Sequence, residues 1–126
     1  MKVIILVIIL LIIIFLGAIG GYQLISRETA NLIEHFDQLE KDIETNNWQQ
    51  AKFTGQQIVE QWEQANKIFS LMIDHGQLHD LSISISRIDI LIQLEEKQKI
   101  IPELFIARDL IKNIKEEEKP LLHNIF

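Results

Sequence analysis

The chain has no cysteine among its 126 residues, only two prolines and five glycines, and fewer basic than acidic residues. Without cysteine, attachment to a membrane through a lipid-modified cysteine is excluded, and either side of a membrane is a permitted location. The 12 Lys and Arg against 18 Asp and Glu give a net charge of −6. Nucleic acid and anionic lipid headgroups bind to basic surfaces, so this balance argues against both as tight partners.

Motifs of the common catalytic sites are also missing. The sequence has no glycine-rich phosphate loop, no HExxH zinc motif and no GxSxG or SxxK context around Ser82, Ser84 or Ser86. Nucleophilic catalysis by these serines is therefore not expected. We predict a protein without enzymatic activity and without a cofactor.

What the chain does have is an unbroken apolar run, Val3–Ile19, which Gly20, Gly21 and Tyr22 extend without a charge. As a helix rising 1.5 Å per residue, about twenty residues cover the roughly 30 Å hydrocarbon core of a bilayer. In lipid a single segment must satisfy its own backbone hydrogen bonds, which only a helix can do. We predict a transmembrane anchor over residues 1–22.

A cleaved signal peptide is the competing interpretation of this run. Lys2 supplies a basic start and Ala18-Ile19-Gly20 a small-residue cleavage site, but the run exceeds the usual length of about 7–15 residues. We therefore favour an anchor in the cell membrane. Acidic residues surround Arg27, whereas Lys2 precedes the run. The positive-inside rule then places Lys2 in the cytoplasm and the following domain outside.

Residues 23–126 are predicted to form one soluble helical domain. Apolar residues recur every three or four positions, the spacing of one helix face, in four separate segments. The four stripes are Ile25, Leu32, Phe36, Leu39 and Ile43; then Trp48, Ala51, Gly55, Ile58, Trp62, Ala65, Phe69 and Met72; then Leu78, Leu81, Ile85, Ile88 and Ile92; and then Leu104, Ala107, Ile111 and Ile114.

Several residues mark the ends of these helices. Asn47 is a favourable N-cap for the second helix, and Gly76 a plausible stop at its C-terminus. The fourth helix is expected to begin near Lys99, with Pro102 in its first turn. It is expected to end at 116–120, with the apolar tail folded back onto the domain. Residues 43–51 and 92–100 resemble each other faintly and occupy corresponding turns.

The third segment carries two patterns. Its residues 81–85 and 88–92 alternate apolar and polar, as in a strand, and the same residues fit the helical spacing. A lone strand among helices would have no pairing partner, so a helix is predicted. The fold class is then all-α: an N-terminal transmembrane helix followed by a small antiparallel helical bundle of two αα-hairpins. A four-helix bundle and a stacked tetratricopeptide-like pair both fit.

One polar cluster, Asp74, His75, His79 and Asp80, contains the side chains from which zinc sites are built. Asp74, His75 and His79 are therefore candidate metal ligands. The simpler interpretation is capping, in which His75 interacts with the carbonyl end of the second helix. Asp74 or Asp80 would then cap the third helix. We favour capping and predict no bound metal; the single histidines His35 and His123 are expected to be exposed.

Three further residues are candidates for a structural or partner-facing role. Trp48 and Trp62 lie fourteen residues apart on one stripe, which favours core packing over a ligand platform. Arg87 and Asp89 flank the third stripe, and a small-molecule sensor would need one of them to face the core.

One set of residues, spread over the chain, follows the pattern of a known family: Asn47–Ala51, Trp62, Ile68–His75, Leu78, Leu81, Ser86–Ile88 and Asn124–Phe126. In these residues the chain resembles domain-of-unknown-function family 4363, short bacterial proteins with an N-terminal membrane anchor and helical segments. The resemblance implies a helical third segment and a source among the spore-forming Firmicutes, but no activity, because the family has none assigned.

The function expected from these features is a membrane-anchored interaction or scaffold domain outside the cytoplasmic membrane. Its partner would be a membrane protein or a second copy of the chain. The alternative is an extracytoplasmic helical bundle that senses a small molecule. A metal-dependent function at Asp74, His75 and His79 is the third and least favoured possibility.

Overall fold

A computed structural model describes the backbone of residues 1–125 and the side chains of residues 1–114. Over this part of the chain it contains α-helices and no strand, which confirms the all-α prediction and the helical third segment. The helices are α1 (Lys2–Glu44), α2 (Trp48–Phe69), α3 (His75–Gln93) and α4 (Lys97–Ile125).

Helix α1 is continuous over 43 residues, about 65 Å of helix. It passes through Gly17, Gly20 and Gly21 without a break. Every side chain from Val3 to Leu16 is exposed, and the first buried one is Ile25. The predicted boundary at residue 22 therefore lies inside one helix, with no linker between the apolar run and the bundle.

The core forms where the four apolar stripes meet. Each helix packs against the next one along the chain, and α4 also packs against α1, so the helices form a closed ring. The buried apolar residues are those of the four stripes, with Ile73 and Ile100 in addition. Two residues of the second stripe depart from the prediction, since Trp48 is only half-buried and Met72 lies beyond the end of α2 and is exposed. The largest fully buried side chains are Phe36, Phe69, Ile25, Leu32, Leu39, Ile43, Ile58, Leu81, Ile88, Ile92, Ile100 and Leu104.

The turns after α1 and α3 have the same construction. Asn46 and Glu95 adopt the left-handed conformation, with φ of 58° and 54°. In each turn the amide of the next residue donates a hydrogen bond to the carbonyl five residues earlier. These bonds join Asn47 N to Asp42 O at 2.8 Å and Glu96 N to Leu91 O at 3.1 Å. Each turn is thus a Schellman motif, which satisfies the last carbonyls of its helix. This shared motif is the structural counterpart of the resemblance between the two turn sequences.

The start of α2 agrees with the sequence prediction, whereas its end does not. Asn47 is the N-cap, and its Oδ1 accepts a hydrogen bond from the Gln50 amide at 3.3 Å. However, α2 ends at Phe69, and Gly76 lies in the first turn of α3. After Ser70, which keeps right-handed helical angles, the Ile73 amide bonds the Phe69 carbonyl at 2.8 Å. No left-handed glycine is needed there.

Helix α4 begins at Lys97, two residues earlier than predicted, so Pro102 lies in its second turn. The carbonyl that Pro102 cannot bond belongs to Gln98, and both residues are exposed. Water can therefore replace the missing hydrogen bond. The predicted end at 116–120 was wrong, since α4 continues to Ile125. The predicted packing of the apolar tail onto the domain lies outside the described side chains.

Candidate functional site

The predicted polar cluster lies at the start of α3. Asp74 occupies the N-cap position without a side-chain hydrogen bond to the helix, and His75 is the first helical residue. His75 therefore lies at the amino end of α3. Its predicted position at the carbonyl end of α2 was wrong. Asp74, His75, His79 and Asp80 are all exposed. Within the described residues, no group of three or more His, Cys, Asp or Glu is placed to hold a metal ion.

Trp62 is a core residue that joins α2 to α3. It is 4% exposed, and its Nε1 donates a hydrogen bond to the Ser82 Oγ at 2.8 Å. Its ring meets Phe69 edge to face, with centroids 6.2 Å apart and planes at 67°. A buried indole commonly satisfies its N–H in this way.

The other two candidates lie nearer the surface. Trp48, in the first turn of α2, is half-buried and packs against the core. The side chain of Arg87 is 65% exposed and forms an ion pair across to α4, with its Nη1 3.6 Å from Glu103 Oε1. Arg87 thus links α3 to α4 at the surface and does not enter the core.

A buried polar group that the sequence patterns did not single out connects α1 to α2. Asp42 is buried and accepts hydrogen bonds from Thr54 Oγ1 at 2.8 Å and from Gln38 Nε2 at 2.9 Å. Farther along the same pair of helices, His35 Nδ1 contacts Gln61 Oε1. His35 is half-buried, so the expectation that it is simply exposed was wrong.

The outer side of the α1–α4 pair carries a groove of about 280 Å³. Arg108 of α4 lines this groove and forms two ion pairs with α1. The Arg108 Nη2 lies 2.8 Å from Asp37 Oδ1 and 2.7 Å from Glu40 Oε2. Its Nε is buried without a hydrogen-bond partner. One guanidinium therefore bridges two carboxylates across the helix pair. The groove is lined by Ile33, Asp37, Phe105, Arg108, Asp109 and Lys112.

Phe105 adds an exposed aromatic ring to this groove. Its side chain is 72% exposed, and the neighbouring Ile106 is also exposed. Aromatic side chains and arginine are enriched at protein interfaces, where they supply much of the binding energy. The groove thus combines an aromatic ring, an arginine held in place by two carboxylates, and a lysine. These groups suit binding of another protein surface.

Sequence reasoning missed this groove, although one signal for it is present. Phe105 and Ile106 are large apolar residues that fall off the stripe formed by Leu104, Ala107 and Ile111. An apolar residue off the buried stripe of a helix is a candidate for contact with something other than the core. The ion pairs of Arg108 had no such signal, because they depend on how α4 is aligned with α1.

Residues 19–125 match the family model described as Domain of unknown function (DUF4363). The chain belongs to the DUF4363 family. The DUF4363 match begins at Ile19, near the end of the apolar run, and includes α2, α3 and α4. It therefore covers the bundle, the groove and, apart from Phe126, the residues on which the resemblance was based. No curated protein and no solved structure matches the chain.

Proposed function

We propose that this chain is a single-pass membrane protein that displays its helical domain, built as two αα-hairpins, outside the cytoplasmic membrane for interaction with another protein. The observation that carries the proposal is that the two parts of α1 differ in burial. Its first part, Val3–Leu16, exposes every apolar side chain, and its later part contributes to the bundle core from Ile25 onward.

Exposure along α1 separates two of the possible explanations for such a helix. A core helix of a soluble protein buries its apolar residues, whereas none of the 18-residue window that identifies this span is buried inside the structure. A cleaved signal peptide passes the same test and stays the rival interpretation. Carbonate washing distinguishes them, because a retained anchor keeps the bundle in the membrane pellet and a cleaved signal releases it.

Charge supports the proposed orientation. Lys2 precedes the apolar run, and Arg27 after it is accompanied by Glu28 and Glu34. Because basic residues are retained on the cytoplasmic side, this distribution favours Lys2 inside and the acidic bundle outside. An acidic domain of this kind stays soluble and does not bind anionic headgroups through charge.

The groove with Phe105 and Arg108 is the surface through which we propose that the domain binds its partner, a membrane protein or a second copy. The sensor alternative receives less support from the contacts. Of its two candidates, Arg87 is exposed and paired with Glu103, and Asp89 is only half-buried. The buried carboxylate of Asp42 already accepts two hydrogen bonds. The metal-dependent alternative has no ligand group among the described side chains.

A photoreactive amino acid at position 105 tests this proposal in the intact, membrane-anchored chain. The matched control is position 53, because Phe53 of α2 is also an exposed aromatic residue but lies away from the groove. The family resemblance makes a Firmicutes host the natural choice. We expect irradiation to give one discrete cross-linked product at position 105 and none at position 53. Equal products at both positions, or no product at position 105, would contradict an interaction through the groove.

A further inference from the structure

We infer that the turn between α2 and α3, residues Ser70–Asp74, rests on the bilayer and places Leu71 in its interfacial layer. The inference rests on the proposed membrane anchor and adds a second contact with lipid to it. We call this segment the membrane-proximal turn. Its proposed ligand is the lipid surface itself, at the depth of the headgroups and the first acyl carbons.

The position of the turn along α1 is the first argument. From Val3 to Gly21 the helix rises about 27 Å, close to the roughly 30 Å of the hydrocarbon core. Gly21 therefore lies near the edge of the core. Met72 of the turn lies directly over Gly21, since a methyl group added at Gly21 would come within 3.0 Å of the Met72 sulfur. The turn is thus level with the end of the predicted span.

The pairing of α1 with α2 independently places the turn at a similar level, a few residues further along α1. Asp42 of α1 accepts a hydrogen bond from Thr54 of α2, and His35 contacts Gln61, so α1 and α2 run antiparallel. Extending this alignment places Leu71 beside about residue 25 of α1, roughly 6 Å beyond Gly21. That distance lies within the interfacial layer of a bilayer, which adds about 5–8 Å to each side of the core.

The composition of the turn fits a lipid interface. Leu71 is 85% exposed, more than any other large apolar side chain of the described residues except Met1. Met72 beside it is also exposed. Tyr22, next to Gly21, is half-buried and belongs to a residue type that is enriched at membrane interfaces. No linker separates the bundle from the span, so α1 keeps this turn close to the membrane.

Charges around the turn are compatible with this position. Lys67 in the last turn of α2 and Arg27 of α1 are exposed and can approach lipid phosphates, while Asp74 is the last residue of the turn and His75 follows it. Gly17 and Gly21 also form a GxxxG pattern, which in membranes promotes helix pairing. Because Met72 covers Gly21, we favour lipid over a second copy as the neighbour of this turn.

Single cysteines carrying a polarity-sensitive fluorophore test the inference, because the chain has no native cysteine. The full chain is reconstituted in phosphatidylcholine nanodiscs with or without lipids brominated near the headgroup end or near the middle of their acyl chains. Leu71→Cys reports the turn. Leu94→Cys is the matched control, an exposed leucine in the turn at the opposite end of the bundle, and Leu10→Cys reports the span.

We expect the fluorophore at Leu10→Cys to lose fluorescence with bromines near the middle of the acyl chains. At Leu71→Cys its emission should be blue-shifted and should be quenched by bromines near the headgroup end. Leu94→Cys should show neither the blue shift nor the quenching. If Leu71→Cys behaves like Leu94→Cys while Leu10→Cys is quenched, the inference is wrong and the anchor stands. If Leu10→Cys is not quenched, the anchor itself is wrong, and the inference with it. A blue shift at position 71 without quenching, lost on dilution, would assign the turn to a second copy and overturn the lipid contact.

Discussion

Replacing Trp62 with alanine removes the indole that joins α2 to α3. A buried tryptophan removes about 150–250 Å² from water, which at about 25 cal/mol per Å² amounts to roughly 4–6 kcal/mol. Compact unfolded chains make this an upper value, and Trp→Ala changes in cores typically cost about 3–5 kcal/mol. Ser82 loses the hydrogen bond from Trp62, but it is half-buried and can bond water, so this loss adds little to the destabilisation. The loss is a large part of the roughly 5–15 kcal/mol that stabilises a domain.

Urea unfolding of the full chain in detergent micelles, followed by far-UV circular dichroism, measures this loss. The span of α1 stays helical in the micelle, so the change in signal reports the bundle. Phe105→Ala is the control, an aromatic residue 72% exposed, and should change stability by no more than about 0.5 kcal/mol. If the midpoints of Trp62→Ala and Phe105→Ala were equal, Trp62 would not be a core residue and the packing argument would be refuted.

Three further changes can be measured by the same unfolding experiment. Ile85→Ala should cost about 2–5 kcal/mol, whereas Ser84→Ala should be neutral or stabilising because the buried Ser84 Oγ has no partner; a large loss at Ser84 would contradict this. Gly55→Ala should destabilise the bundle by about 1–3 kcal/mol, because the added methyl group would lie 2.8 Å from Ile92 Cδ1. This clash outweighs the roughly 1 kcal/mol by which a helix prefers alanine to glycine. A raised unfolding midpoint would show instead that the Ile92 side chain can move away. Glu95→Gly should stabilise by up to about 1 kcal/mol by removing a left-handed non-glycine residue, and a lower midpoint would contradict the turn assignment.

The sequence was most informative where one periodic signal dominated. The stripes of α2 and α3 predicted buried residues correctly, from Ala51 to Phe69 and from Leu78 to Ile92, because burial of one helix face needs only the helical repeat. Asn47 was predictable as a cap because its side chain bonds its own helix. Such local interactions can be read without knowing how the helices pack.

Features that depend on alignment between helices were not predictable from one sequence. The pairing of Asp42 with Thr54 and of Arg108 with Asp37 requires the offset of α2 and α4 along α1, which periodicity does not contain. Gly76 was misplaced for a different reason. A glycine suits a helix stop, but the five-residue turn after Phe69 turns without a left-handed residue.

Labelling of an introduced cysteine in intact cells tests the central claim most directly, because the chain supplies no other thiol. The variant is Leu94→Cys, at the end of the bundle farthest from the span, treated with a membrane-impermeant maleimide and recovered in a carbonate-washed membrane pellet. An anchored domain outside the membrane predicts labelling of a full-length 14.7 kDa chain before lysis. Labelling only after lysis, or a shortened labelled chain in the supernatant, would contradict it.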